Sequence, residues 1–162
     1  MPQIHLDAVD VKILRELQTD SRLTNVELAG RVGLSPSPCL ARVRALTASG
    51  LIIRQVSILD PQLLGLKLTV FINVSLARQS EGALEQFQNQ IQKCTEVLEC
   101  YLMTGDADYL LRVIVADVVE LRDFILNRLT TIEGVASIRS SIALHQVKYE
   151  TALPVKESAA SL

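Results

Sequence analysis

Residues 23–50 read LTNVELAGRVGLSPSPCLARVRALTASG, and the organisation of the front of the chain follows from this stretch. Thr24 and Glu27 form the pattern T-x-x-E, in which a hydroxyl and a carboxylate each accept from a free backbone N–H at a helix start. Leu23 and Leu28 flank it at hydrophobic-staple spacing. Gly33 can take the left-handed conformation that stops the helix. Ser35 is a cap-type residue, and Pro36 falls at the first helical position, where its missing N–H costs nothing. Pro38 is still in the first turn, among residues without helical N–H partners. Leu40, Val43 and Leu46 recur at i, i+3, i+6 and are expected to face the core, with Gly50 closing the helix. Two short helices joined by a glycine-containing turn are the helix-turn-helix arrangement.

On a wheel of ~100° per residue, Ser37, Ala41, Arg44 and Ala48 fall opposite that stripe, with Arg42 at the edge. Small side chains let a helix lie deep in the major groove of DNA, and arginines reach phosphates or a guanine edge. The same spacing also suits a plain helical hairpin with solvated arginines.

Working outward toward the N-terminus, Asp7 is placed to cap a first helix, with Asp10 adding negative charge to its first turn. Leu6 and Val11 have staple spacing, and Val9, Ile13 and Leu17 share one face. Charge marks the same region. Residues 1–60 hold seven Lys and Arg against six Asp and Glu, and the rest of the chain nine against twelve. Between Ala29 and Leu59 stand Arg31, Arg42, Arg44 and Arg54 with no acidic residue, so a net charge of −2 conceals one positive segment.

Working outward toward the C-terminus, the period of the apolar pattern changes. Residues 67–76, 97–104, 108–116 and 135–146 read as strands, and 81–93 and 117–131 as helices. Leu84, Phe87 and Ile91 line the first of these helices, and Leu121, Phe124, Ile125 and Leu129 the second. The second opens on Asp117-x-x-Glu120 and stops near Gly134, and Gly105-Asp106-Ala107 supplies a tight turn between the middle strands. Strand-helix-strand occurring twice is the split ferredoxin-like order, βαββαβ. The class is therefore α+β, divided as a helical domain over 1–52, a linker strand over 53–66 with a boundary near Asp60-Pro61, the βαββαβ domain over 67–150 and a tail over 151–162. The tail beyond Pro154 reads as disordered.

Both helices of such a fold cover one sheet face. Yet Val70, Ile72, Val74 and Leu76 alternate with Phe71, and Leu111, Val113 and Val115 with Leu110 and Ile114. A second apolar face is left open, and we expect an identical sheet to cover it in an obligate homodimer.

The remaining signals exclude other classes. In 162 residues, 49% are apolar and 21% charged, a globular balance too short for a multidomain enzyme. Cys39, Cys94 and Cys100 are scattered and odd in number, which reads as reduced thiols. Cys39 suits either a redox sensor or a small buried residue. His5 and His145 are the only histidines, and no His/Cys cluster has metal-ligand spacing. No nucleophile-base pair or glycine-rich phosphate loop is present, so no catalytic residue, metal or cofactor is expected. The opening MPQIHLDAVD lacks the basic and apolar regions of an export signal, and no apolar run reaches the ~20 residues of a membrane span. We expect a cytoplasmic protein.

Three segments resemble a known family. LSPSPCLARVRAL (34–46), LDAVDVKILRELQTDSRLTNVELAGRVGLS (6–35) and ECYLMTGDADYLLRV (99–113) are similar to the Lrp/AsnC, or leucine- and asparagine-responsive, transcription regulators. RSSIALHQVKYETALPV (139–155) together with 101–113 is similar to the family's branched-chain keto-acid dehydrogenase regulators. The resemblance implies a winged helix-turn-helix joined to an amino-acid-sensing domain, and dimers that assemble into tetramers, octamers or discs on DNA. Ser35, Ser37, Arg42 and Arg44 match family positions that face DNA, while Ala41 and Ala45 stand where relatives often carry charge. Met103, Thr104, Gly105, Asp106, Asp108 and Tyr109 match the effector region, and Ser140 and Ser141 a second effector-linked stretch. The chemistry suits an amino acid: Asp106 or Asp108 for its ammonium, the glycine turn's N–H groups for its carboxylate, and Leu102 and Met103 for an apolar side chain. On spacing alone, Gly105–Asp108 reads first as a plain hairpin turn, and it is the resemblance that makes it an effector region. A DNA-bridging protein without effector, and a tetrapyrrole-modifying enzyme, are the competing functions.

Overall fold

The computed structural model describes residues 5–157, in two compact units. Of the described residues, 5–58 and 148–157 form the first and 59–147 the second.

In the first unit, α1 spans Ala8–Thr19, α2 Asn25–Val32 and α3 Pro36–Ala48. The caps are those the sequence implies. Asp7 accepts from the N–H groups of Val9 and Asp10 at 2.9 and 2.8 Å, and Asp10 accepts from the Asp7 N–H. Thr24 and Glu27 form the reciprocal box, and Gly33 ends α2 at φ +77°. The core gathers Ile13, Leu14, Leu28, Ala29, Val32, Cys39 and Leu46.

Three expectations need correction here. The inward stripe of α3 keeps the expected Val43 and Leu46 but begins at Cys39 in place of Leu40, which is exposed. The small Cys39 thiol is fully buried in the core of the three helices. Burial pushes the Cys39 thiol up, away from a reactive thiolate. The linker strand expected over 53–66 is exposed, non-strand backbone to residue 60, followed by a turn closed by Leu66 N–H on the Pro61 carbonyl at 2.8 Å. A strand needs a ladder partner, and this segment has none among the described residues. Finally, residues 148–157 return to the first unit, where a tail with a disordered end was expected. The Gln18 amide both donates to the Leu153 carbonyl and accepts its N–H (3.1 and 2.6 Å), Arg15 donates to the Val155 carbonyl, and Val155 packs against the helical core. Residues 158–162 lie outside the described residues.

The second unit holds β1 (Leu68–Leu76), α4 (Glu81–Ile91), β2 (Val97–Leu102), β3 (Tyr109–Val115), α5 (Val118–Phe124) with a π-helical turn over Ile125–Leu129, and β4 (Val135–Ile142). The sheet is antiparallel in the order β2-β3-β1-β4, as the doubled strand-helix-strand pattern implies. The π turn departs from the single helix expected over 117–131. The wider turn keeps Leu129 directed at the core.

Register assigns the two faces. Val70↔Val113, Ile72↔Leu111 and Val74↔Tyr109 lie under α4 and α5, with Phe87, Ile91, Leu121, Phe124 and Leu129 packed on them. Thr69↔Ile114, Phe71↔Arg112 and Asn73↔Leu110 occupy the other face, as expected. That face is mixed as well as apolar. Arg112 donates to Glu99 across the β2–β3 ladder, and the Tyr101 hydroxyl donates to the same carboxylate at 2.9 Å. The Arg112 guanidinium, and secondarily Tyr101, holds Glu99 below the usual carboxylate range.

Phe87 is fully buried, with its ring 4.4 Å from that of Tyr109. Phe87→Ala is expected to cost about 3–5 kcal/mol, read from the urea unfolding midpoint.

Candidate nucleic-acid interface and effector region

The turn from α2 to α3 is pinned by a residue the spacing did not mark. The Asn25 side-chain N–H donates to the Pro36 carbonyl at 2.7 Å, fixing where α3 begins, and its Oδ1 is buried without a partner. Asn25 follows a recognisable cap residue, but no sequence signal says its amide reaches across eleven positions. Ser35 has extended cap backbone yet makes no side-chain cap hydrogen bond. Pro36 and Pro38 carry no N–H, so the first turn of α3 offers few backbone donors. From there Ser37, Ala41, Arg44, Ala45 and Ala48 are exposed. Arg44 forms no ion pair among the described residues.

Arg42 is placed differently from the expectation that it faces DNA alongside Arg44. Its side chain is half-buried, and Nη1 donates to Asp7 Oδ2 at 2.7 Å and Asp10 Oδ1 at 2.8 Å. Both carboxylates belong to the N-terminus of α1. The Asp10 backbone N–H, and next the Arg42 guanidinium, hold the Asp7 carboxyl below its ordinary 3.8. Asp10 and Asp7 raise Arg42 in turn. Because the folded-state value is depressed, Asp7 contributes stability above its unfolded value, and the contribution is lost as pH falls through the lower folded one.

The turn between β2 and β3 divides the expected effector residues. Gly105 at φ +117° turns the chain in a region that a side chain disfavours. Met103, Thr104, Gly105 and Asp106 are exposed, and the Asp106 carbonyl accepts from the Ser75 hydroxyl at 3.4 Å. Asp108 is buried. Its carboxylate accepts from the Leu76 N–H and the Gln79 amide, both at 2.6 Å. Tyr109 is also buried, its hydroxyl accepting from Gln88 at 3.0 Å and facing the Leu84 carbonyl. So Asp108 and Tyr109 are engaged inside the unit, while Asp106 is free toward solvent. Gln79 completes the buried network, and sequence patterning does not single it out.

Ser140 and Ser141 are exposed on the edge strand β4, opposite Ile72 and Phe71 of β1. Tyr109, at the base of the turn, pairs with Val74 on the far side of β1. The serines and the turn are thus two strand spacings apart, roughly 10 Å, and offset further along the strands. Among the described residues, no group of His, Cys, Asp and Glu is arranged to hold a metal ion, and no helix is long and apolar enough to cross a membrane.

A helix-turn-helix unit with an exposed arginine on its second helix, carried with a one-sided βαββαβ unit, defines a DNA-binding protein with a separate α+β module. Comparison with known proteins narrows this. Residues 6–53 match the family model for winged helix-turn-helix DNA-binding, and 69–153 match that for the Lrp/AsnC ligand binding domain. The leucine-responsive regulatory protein of Escherichia coli (strain K12) is 41% identical over 155 residues, spanning 96% of this chain and 94% of its own. A transcriptional regulator of Neisseria meningitidis, solved as an L-Met complex, is 42% identical with a TM-score of 0.88, covering 92% of this chain and 96% of its own. An AsnC family transcriptional regulator from Agrobacterium tumefaciens is 41% identical at TM-score 0.88, with 92% and 97% covered. The chain belongs to the Lrp/AsnC family and is an Lrp-type transcriptional regulator with a DNA-binding and an amino-acid-binding domain.

Two outcomes follow from this geometry. Followed by carbon-detected NMR, the Asp7 carboxyl should titrate below 3.8, and Arg42→Gln should move it upward. Asp108→Ala strands the buried Leu76 N–H and releases the Gln79 amide, and should lower stability by about 1–3 kcal/mol, whereas Asp106→Ala should leave the thermal midpoint near that of the parent.

Proposed function

We propose that the protein regulates transcription by binding DNA through α3 and sensing an amino acid at an interface between copies of its sheet unit. The observation that carries the DNA half is Arg44, solvated and unpaired on a helix face whose other members are small, beside the exposed Ser35 and Ser37. That face can enter a major groove, with one guanidinium aimed at a guanine edge or phosphate. Counterion release then makes the affinity fall steeply with salt.

The effector half rests on the separation of Ser140 and Ser141 from the turn at Met103–Asp106. A second copy is the economical way to complete a site, and exposed Phe71 with half-buried Leu110 supplies an apolar surface for it. Asp106 is the carboxylate available to a ligand ammonium, and exposed Met103 and Leu102 suit an aliphatic or thioether side chain. The leucine-responsive names of relatives and the L-Met complex of the Neisseria neighbour favour leucine or methionine over a polar amino acid. Higher assembly of dimers on DNA, to tetramers or octamers, belongs to the same reading.

The test is fluorescence anisotropy on duplexes selected from a random pool by the parent protein, with and without L-methionine or L-leucine, alongside sedimentation analysis. Arg44→Ala should weaken binding at least tenfold and reduce the salt slope by about one. A ligand should shift affinity or assembly, and Asp106→Ala should abolish that shift. A monomer at micromolar concentration that responds to neither amino acid would sink the sensing half.

A further inference from the structure

Arg42 stands two residues from Arg44, yet the two are chemically unlike. Arg42 shares the inward flank of α3 with Cys39 and Leu46, at i−3 and i+4, and not the Ser37–Ala41–Arg44–Ala48 face. Its partners are used without remainder. Asp7 caps α1 through Oδ1 and holds Arg42 through Oδ2. Asp10 holds Arg42 through Oδ1 and closes the capping box through Oδ2. The α1 cap and the α3 anchor are therefore one network, joined at a single guanidinium nitrogen. α3 has two buried side chains, Cys39 and Leu46, with Val43 partly buried beside them, so its apolar grip on the unit is small and a directional tie has leverage over its angle. A phosphate reaching the remaining Nε and Nη2 donors of Arg42 would meet the charge of two carboxylates already held by the same guanidinium.

We propose that Arg42 is a positioning residue of the reading helix: it ties α3 to the carboxylates of α1, sets the approach of Ser37 and Arg44 to the groove, and does not itself touch DNA. This rests on the DNA-binding reading above. It predicts that the two aspartates, which repel DNA, are nonetheless required for discrimination between sequences.

The experiment is a mutant cycle on the full chain: Arg42→Gln, Asp7→Asn with Asp10→Asn, and all three together. Asparagine caps helices as well as aspartate, so the aspartate variant keeps its helix start, checked by circular dichroism. The readout is the ratio of affinities for a duplex selected by the parent protein and a scrambled duplex of equal length, in which long-range charge cancels. Each variant should lose about tenfold in this ratio, the scale of one disturbed base contact, and the triple variant should lose no more than either. Arg42→Gln should keep the parent's salt slope on the scrambled duplex, and Arg42→Lys should recover part of the ratio. If Arg42→Gln lowers that slope by about one, or the aspartate variant keeps or raises the ratio, Arg42 is a DNA contact and the assignment is overturned. A parent that holds both duplexes alike overturns the DNA-binding reading itself, and this one with it.

Discussion

The constraint on which the larger unit depends is that two helices cover only one face of a four-stranded sheet. Alternation along β1 and β3 sends Val70, Ile72, Val74, Leu111 and Val113 beneath α4 and α5, and these residues form a dry core with Phe87 and Leu129. The same alternation necessarily sends Phe71, Leu110 and Ile114 to the uncovered side. Arg112, Glu99, Tyr101 and Asn73 stand among them, so the open face offers directional polar groups as well as apolar area. A mixed face of this kind suits a specific partner better than indiscriminate association.

In both units, charged residues that read as binding groups make hydrogen bonds inside the unit. Asp108 receives a backbone N–H from β1 and an amide from the following loop, and so anchors the turn that presents Asp106. Arg42 joins two helices while its neighbour Arg44 is left to solvent. The physical pattern is the same each time. A hydrogen-bonded polar residue stands two positions from an exposed one of the same charge. The family's amino-acid-binding and DNA-binding domains are each built on such a pair in this chain.

The C-terminal segment adds a second covalent path between the units. Leu153 and Val155 are held by Gln18, Arg15 and the helical core, so the chain that leaves the first unit at residue 58 re-enters it at 148.

Local chemistry was legible in the sequence because it acts between near neighbours. The boxes at Asp7 and Thr24, the stop at Gly33, the doubled strand-helix-strand order and the division of the sheet into two faces all depend on short spacings, and the family motifs extended that reading to function. What the sequence could not decide were contacts between distant residues. Arg42 meeting Asp7, Asp108 meeting Gln79, Asn25 meeting Pro36 and Val155 meeting the helical core each join positions whose separation carries no period. The first inward residue of α3 belongs with them: Leu40 and Cys39 are both plausible inward residues on a wheel, and the core of the three helices buries Cys39. Partner choice for a polar side chain is set by which groups the completed fold brings within hydrogen-bond reach, and that is a property of tertiary structure alone.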